Sequence, residues 1–384
     1  MEVAIIGGGA SSIMCSCFAK DNVKIDLFEK SDKIGKKILG TGNGRCNLTN
    51  VNMNTKFFNA NIDKYLHNFS YKETICFFNK IGLKTYNDDQ GRVYPFSNSA
   101  VSVLDVLKNY LSTKTNVNIF TENKVIDIER VNNKFKVVLE DGAYKFYSKV
   151  VIAVGNMLNF LTFKNCGVNI IPFNPSLCAL ETNKNKNLAG VRVSNVAVSC
   201  RKVNFFETGE ILFREDGISG IVVFNLSSYL ARIGNYNADV FFDFMPNYSE
   251  SQIYKELEKR RSNLKDYKID NFLTGYFIKQ LNYDLLKRLK LELNQSVSNL
   301  TDSDLQNLAH LIKNYCLKTI GALSNNQVFS GGIDLNSLND NLQVKKCPGL
   351  YFTGEAINVD GVCGGYNLQW AWTSGKIVGE NLWN

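Results

Sequence analysis

Histidine is nearly absent: His67 and His310 are the only two in 384 residues. A zinc site built on imidazoles and a hydrolytic triad centred on histidine are thereby excluded as the main chemistry, and no metal is expected. The ten cysteines are scattered, with no Cys-x-x-Cys pair, so reduced and mostly buried thiols are expected rather than a disulfide framework. A Cys-x-x-x-x-Cys pair is missing too, which argues against a dithiol reductase. Long apolar runs are also lacking. Val150–Val154 and Ile221–Phe224 fall far short of the ~20 residues that cross a bilayer, so no membrane partner is expected. The first residues carry no basic stretch and no cleavage pattern, and the expected location is the cytoplasm.

What is present describes a folded chain. Hydrophobic residues make up 45% and charged residues 21%, values that exclude disorder and fibrous repeats. The length allows two or three domains. Forty-four Lys and Arg stand against thirty-six Asp and Glu, a formal charge of +8. That excess is compatible with an RNA or phosphate-bearing partner, and equally with a merely basic surface.

The most informative pattern lies in the first thirty residues. Glu2–Ile6 reads as a buried strand, Gly7-Gly8-Gly9 as a tight turn and Ala10–Lys20 as a helix of small and apolar residues. A second strand, Val23–Phe28, ends in Glu29, twenty-two residues after Gly7. This is a βαβ opening with an acidic residue where a ribose 2′-hydroxyl would lie. Gly7 permits the turn, Gly9 lets the backbone approach a pyrophosphate, and the helix N-terminus offers unpaired N–H groups and a positive dipole. Ser12 stands where the fingerprint has its third small residue. No second unit of this kind follows, so no dedicated NAD(P)H domain is expected.

Two further glycine clusters carry special residues. Gly40-Thr41-Gly42-Asn43-Gly44-Arg45-Cys46-Asn47 is a loop whose backbone can lie against a flat or anionic ligand. Near the C-terminus, the strand Leu350–Thr353 runs into Gly354-Glu355, and Gly364-Gly365 opens a last helix from about Asn367. Backbone N–H groups of Asn367 and Leu368 could face an acceptor there.

Between these clusters, Val117–Phe120, Lys124–Val131, Lys134–Glu140 and Tyr144–Tyr147 read as short strands, with Asp141-Gly142 as a hairpin turn. Val191–Ser199, Lys202–Phe206 and Asp239–Phe244 suggest an antiparallel domain, and Ser249–Ser262 and Thr301–Lys318 suggest helices capped by Ser249 and Thr301. The expected boundaries are 1–170 and 326–384 for the outer domain, 171–248 for a β-rich insert and 249–325 for a helical subdomain.

Four runs carry a family resemblance. They are Gly42-Asn43-Gly44-Arg45-Cys46-Asn47-Leu48-Thr49-Asn50, Gly91-Arg92-Val93-Tyr94-Pro95, Leu212-Phe213 leading to Gly217-Ile218-Ser219-Gly220, and Gly364-Gly365-Tyr366-Asn367-Leu368-Gln369-Trp370-Ala371. With them the chain resembles, from end to end, the BaiN/RdsA family of NAD(P)/FAD-dependent oxidoreductases. The resemblance implies an α/β fold: a glutathione-reductase-like, FAD-binding Rossmann-like domain interrupted by a β-rich domain and a helical subdomain. It implies FAD held along Gly7, Gly9, Ala10, Ser11, Ser12, Glu29, Lys30, Val125, Ala153, Gly155, Gly354 and Glu355. The isoalloxazine is then expected near Gly44, Arg45, Cys46 and Asn47 and near Gly365, Asn367 and Leu368. The activities it implies are reduction of a uridine in large-subunit ribosomal RNA to dihydrouridine, or turnover of a small molecule such as aminoacetone or a bile-acid intermediate. NAD(P)H would dock transiently as electron donor. Cys46 is the candidate acid that protonates uracil C5 after hydride reaches C6. The chain departs from the family at Ala153-Val154-Gly155-Asn156, in a shortened Met157–Val168 stretch, at Arg214-Glu215 and Ile221, and at Asn358, where the family's Glu-x-x-Asp has its aspartate.

Overall fold

The computed structural model describes residues 1–160, 168–323 and 328–383, so much of the Met157–Val168 stretch lies outside the described residues. Two units result: residues 1–174 with 328–384, and residues 175–327.

The first unit is built on a parallel sheet of five strands, in the order Leu350–Phe352, Lys149–Ile152, Glu2–Ile6, Lys24–Phe28, Val117–Phe120. The strands are short, unbroken apolar runs because both faces of such a sheet are covered. Val3, Ala4 and Ile5 have no exposed surface. Connection order reverses between Glu2–Ile6 and Lys149–Ile152, and the register aligns Ile6 with both Phe28 and Ile152. Gly7, Glu29 and Ala153 therefore emerge side by side at the C-terminal edge, where open α/β sheets bind ligands.

Two helices, Ala10–Phe18 and Tyr366–Asn381, pack together unusually closely. A Cβ at Gly375 would lie 2.3 Å from the Ser11 carbonyl oxygen, and one at Gly379 2.4 Å from that of Cys15. Only glycine allows this approach. Asp26 is the polar exception in the sheet: its carboxylate accepts from Asn118 Nδ2 at 2.9 Å, Lys145 Nζ at 2.8 Å and Tyr147 Oη at 2.8 Å. Burial pushes its pKa up, but these bonds outweigh burial and hold it below the usual carboxylate range. The strand Ile170–Ser176 pairs with Val328–Ile333 in a two-stranded sheet, and two three-stranded antiparallel sheets also belong to the unit. One joins Val125–Val131, Lys134–Leu139 and Tyr144–Tyr147, and the other joins Thr49–Asn50, Arg92–Pro95 and Thr85–Asn87.

The second unit is a closed antiparallel barrel of six strands, with Arg192–Cys200 and Phe205–Phe213 as its longest pair. The helices Ile221–Arg232, Glu250–Asn263, Lys279–Arg288 and Asp302–Lys313 share one hydrophobic core with it. The β-rich and helical segments that the sequence suggests as separate domains thus form a single body. Two local expectations are corrected. Lys202 lies in a 3-10 turn that Asn204 ends in the left-handed conformation (φ 49°), so the strand begins only at Phe205. The Thr301 helix stops at Lys313, and Tyr315–Ala322 becomes a barrel strand whose Tyr315 ring is fully buried.

Candidate functional site

The N-terminal turn has the shape a dinucleotide phosphate needs. Gly7 has φ 99°, and a Cβ there would sit 2.6 Å from the Ala153 carbonyl oxygen, so this glycine is demanded by the protein itself. Gly9 is different. Its backbone is extended (φ −84°, ψ −170°), it caps the Ala10–Phe18 helix without a side-chain bond, and a Cβ there would meet nothing nearer than 4.0 Å. The protein does not require glycine at that point; a ligand that must touch the backbone would. The first N–H groups of the helix, at Ala10, Ser11 and Ser12, have no intrahelical acceptor and open onto this place.

Glu29 is positioned by the same turn. One carboxylate oxygen accepts from Gly8 N–H at 2.7 Å and the other from Ser31 N–H at 2.8 Å. An ionised carboxylate has acceptor capacity beyond these two bonds, enough for ribose hydroxyls. Lys30, next to it, is exposed. The Glu29 carbonyl accepts from Asn123 N–H, which brings the edge strand beginning at Val125 close behind.

The Gly40–Asn47 loop is wound by left-handed residues: Gly42, Asn43, Gly44 and Cys46 have φ of 56°, 56°, 78° and 60°. It joins the last helix through Asn47, whose amide accepts from Gly365 N–H at 3.0 Å and donates to the Thr49 carbonyl at 2.9 Å. Trp372 Nε1 donates to the Leu48 carbonyl at 3.0 Å and fastens the same loop. Gly365 (φ 94°) must be glycine, since a Cβ would lie 2.6 Å from the Thr49 oxygen. The Asn367 side chain closes its own loop, donating to the Gly361 carbonyl at 2.8 Å and accepting from Gly361 N–H at 2.9 Å. The Tyr366, Asn367 and Leu368 backbone N–H groups at this helix start have no intrahelical acceptor, and those of Asn367 and Leu368 are the ones expected to meet a ligand. Arg45 is exposed, its guanidinium 4.6 Å above the Tyr94 ring centroid.

At the third edge, Thr353 Oγ1 donates to Ser11 Oγ at 3.0 Å and Gly354 N–H to Ser374 Oγ at 2.9 Å. Glu355 accepts from Lys37 Nζ at 2.6 Å and from Phe329 N–H at 2.8 Å, beside Gly155, whose Cβ would lie 3.0 Å from the Glu355 carboxylate. Asn358 accepts from Gly331 N–H at 3.1 Å and pairs with the Asn59 amide at 3.2 Å, a positioning role an amide fills. Sequence reasoning missed Lys37 as the partner of Glu355 and Gln369 as the buried link between Thr49 and Thr74. Gln369 lies in a family run, but nothing in the sequence points to the partners of either residue, which lie some 300 positions away.

One expectation needs revision. Cys46 has no exposed surface, and burial pushes its thiol up to about 12. A side chain with no accessible surface does not face a ligand cleft, and such a thiol holds its proton. Among the departures from the family pattern, Arg214, Glu215 and Ile221 belong to the second unit. No cluster of three or more metal-ligating side chains occurs among the described residues, and no described helix is long and apolar enough to cross a membrane.

The HI0933-like protein Rossmann domain matches residues 1–381. The chain belongs to this family of flavoprotein oxidoreductases, the BaiN/RdsA family. A 3-dehydro-bile acid delta(4,6)-reductase from Clostridium scindens is 33% identical, across 99% of this chain and 98% of that protein. A ribosomal RNA dihydrouridine synthase from Escherichia coli is 27% identical, across 99% and 98%. In fold, the chain is similar to a 3-ketosteroid-delta4-(5alpha)-dehydrogenase from Rhodococcus jostii, with TM-score 0.51 and 11% identity over 100% of this chain and 97% of that one. The protein is an FAD-dependent oxidoreductase with a Rossmann-like core. The cradle at Gly7–Gly9, the uncapped helix start and Glu29 fit an FAD pyrophosphate and ribose.

Proposed function

We propose that this flavoenzyme reduces a carbon–carbon double bond conjugated to a carbonyl, and that its substrate is a uridine of large-subunit ribosomal RNA. Both named activities among its relatives, bile-acid delta(4,6) reduction and dihydrouridine formation, are of this bond type, so the reaction class rests on the family. What favours RNA is charge. The chain carries an excess of +8, and Arg45 stands exposed in the loop next to the last helix start, with no carboxylate paired to it among the described residues. A guanidinium there suits a phosphate or a base.

FAD, when bound and reduced, supplies the hydride for uracil C6. The chain's own groups would do the rest. Gly9 and the Ala10–Ser12 N–H groups bind the pyrophosphate, Glu29 binds the adenosine ribose, and the Asn367 and Leu368 N–H groups orient a ring carbonyl and favour negative charge beside it. Gly44 and Asn47 shape the loop against the ring, while Cys46 serves packing rather than proton donation. NAD(P)H is assigned as a transient electron donor that needs no domain of its own. The test is dihydrouridine in ribosomal RNA from cells with and without the gene. The second reading, a steroid-like enone, is favoured by the 33% identity to the bile-acid reductase. It is tested by flavin reoxidation with a 3-keto-Δ4 steroid under anaerobic conditions.

A further inference from the structure

Outside the cofactor cradle, one face of the small sheet next to the Gly40–Asn47 loop carries linked rings and cations. Tyr86 and Tyr94 are register partners in the antiparallel strands Thr85–Asn87 and Arg92–Pro95, so they share a face, and strand alternation puts Arg92 on it too, while Phe96 follows the strand's end and donates its N–H to the Lys84 carbonyl at 2.8 Å. The Tyr86 and Tyr94 centroids are 6.1 Å apart, and the Phe96 ring stands edge-on to Tyr86 at 6.3 Å. Arg45 lies over Tyr94, and Lys84 Nζ is 5.6 Å from the Phe96 centroid. Tyr86 Oη donates to Asn98 Oδ1 at 2.6 Å, which holds its ring in place. Phe96 is 66% exposed.

One exposed ring needs no explanation. An exposed Phe96 linked to a half-buried Tyr86 and a buried Tyr94, and flanked by two cations that are not paired with a carboxylate among the described residues, does call for one. Arg92 adds no free charge, because it pairs with Asp88 at 2.7 Å. Core packing cannot account for Phe96, and solvation alone would not place it beside Lys84. Aromatic faces accept any unstacked base, and cations alongside them take the connecting phosphates. The platform continues through Arg45 into the loop that Asn47 ties to Gly365.

We infer that this face is a stacking platform for single-stranded RNA, with unstacked bases on Phe96 and Tyr86 and phosphates on Arg45 and Lys84. The inference rests on the ribosomal RNA reading and deepens it, by naming how a looped-out strand is held beside the cofactor. A second exposed patch, with Tyr144 at 59% and Phe146 at 40% exposure and Lys136 4.4 Å from the Tyr144 ring, lies on the Val125–Tyr147 sheet and has no such link to the loop. It provides the comparison.

The probe is large-subunit ribosomal RNA from cells lacking the gene, titrated with the full-length, FAD-loaded protein and then assayed for dihydrouridine. Phe96→Ala is expected to weaken retention about 5- to 100-fold, the range for losing one base stack. Phe96→Tyr should restore it, and Lys84→Ala should flatten the logarithmic salt dependence by about 0.7. Tyr144→Ala should bind within about twofold of the wild type, since it lies off the platform. Phe96 is exposed, so flavin content should be unchanged in every variant. If the wild type forms dihydrouridine while Phe96→Ala and Lys84→Ala bind as tightly as it does, the platform is wrong and the RNA reading stands. Equal loss in Tyr144→Ala also overturns the platform. A wild type that neither retains nor modifies the RNA overturns both.

Discussion

At the residue scale, Gly7 and Gly9 separate what folding needs from what the cofactor needs. Gly7→Ala puts a methyl into the Ala153 carbonyl at a backbone angle alanine rarely adopts, so it should lower stability by about 1–3 kcal/mol and abolish flavin uptake. Gly9→Ala has room within the protein. Its apoprotein should melt within a few degrees of wild type yet gain no stabilisation from added FAD, because binding to the native state must raise stability. Thermal melts with and without FAD check both; a Gly9→Ala protein stabilised like wild type would contradict the cradle. Cys46→Ala should keep its flavin spectrum and turn over within about threefold of wild type, because a fully buried thiol does not meet substrate. Loss of more than a hundredfold with FAD retained would return the thiol to the chemistry. The glycine turn was legible in sequence because its residue types are forced by backbone geometry. The burial of Cys46 was not, since solvent access is decided by elements far away in the chain.

At the element scale, two helices meet closely at Gly375 and Gly379. Gly379→Ala should cost about 1–3 kcal/mol by pushing the helices apart, measured by denaturant unfolding. Asp26 gives the corresponding prediction in the sheet. Its carboxyl is held below the ordinary range, so its contribution is complete above the unfolded pKa of about 4 and is lost as the pH falls through the lower folded value. Asp26→Asn should therefore cost about 1.5–3 kcal/mol at pH 7, with the gap to wild type closing as the pH drops below about 4. A pH-independent gap would contradict the network with Lys145 and Tyr147. Strands of the first unit's parallel sheet were largely readable from apolar runs and turn residues, and in the second unit Ser249 and Thr301 do cap their helices with reciprocal bonds, while the Ser70–Glu73 capping box of the first unit was not foreseen. The errors fell where tertiary context overrides pattern. Tyr315–Ala322 continues the helical composition before it, yet the barrel takes it as a strand.

At the scale of the whole molecule, a nucleotide-binding sheet is interrupted and completed by a return segment. The chain leaves and re-enters the first unit through adjacent backbone, with Asn169 O accepting from Asp334 N–H at 2.9 Å. A protein in which residues 175–327 are replaced by a short flexible linker should therefore still bind FAD, read by flavin absorbance after gel filtration. An insoluble or flavin-free product would show that the first unit does not fold alone. What the sequence could not convey at this scale is that the barrel and the helical segment share one core, because the pairing of Tyr315–Ala322 with Ala238–Asp243 spans seventy or more residues.

The central claim is that this flavoprotein saturates a uracil double bond in ribosomal RNA. The most direct measurement is mass spectrometry of large-subunit RNA from cells with and without the gene, followed by incubation of the deficient RNA with the purified, flavin-loaded protein and NADPH. One uridine should lack its two added hydrogens in the deficient cells and regain them in vitro. Identical RNA from both strains, unchanged by the protein, would contradict the claim and direct the flavin chemistry to a small conjugated ketone.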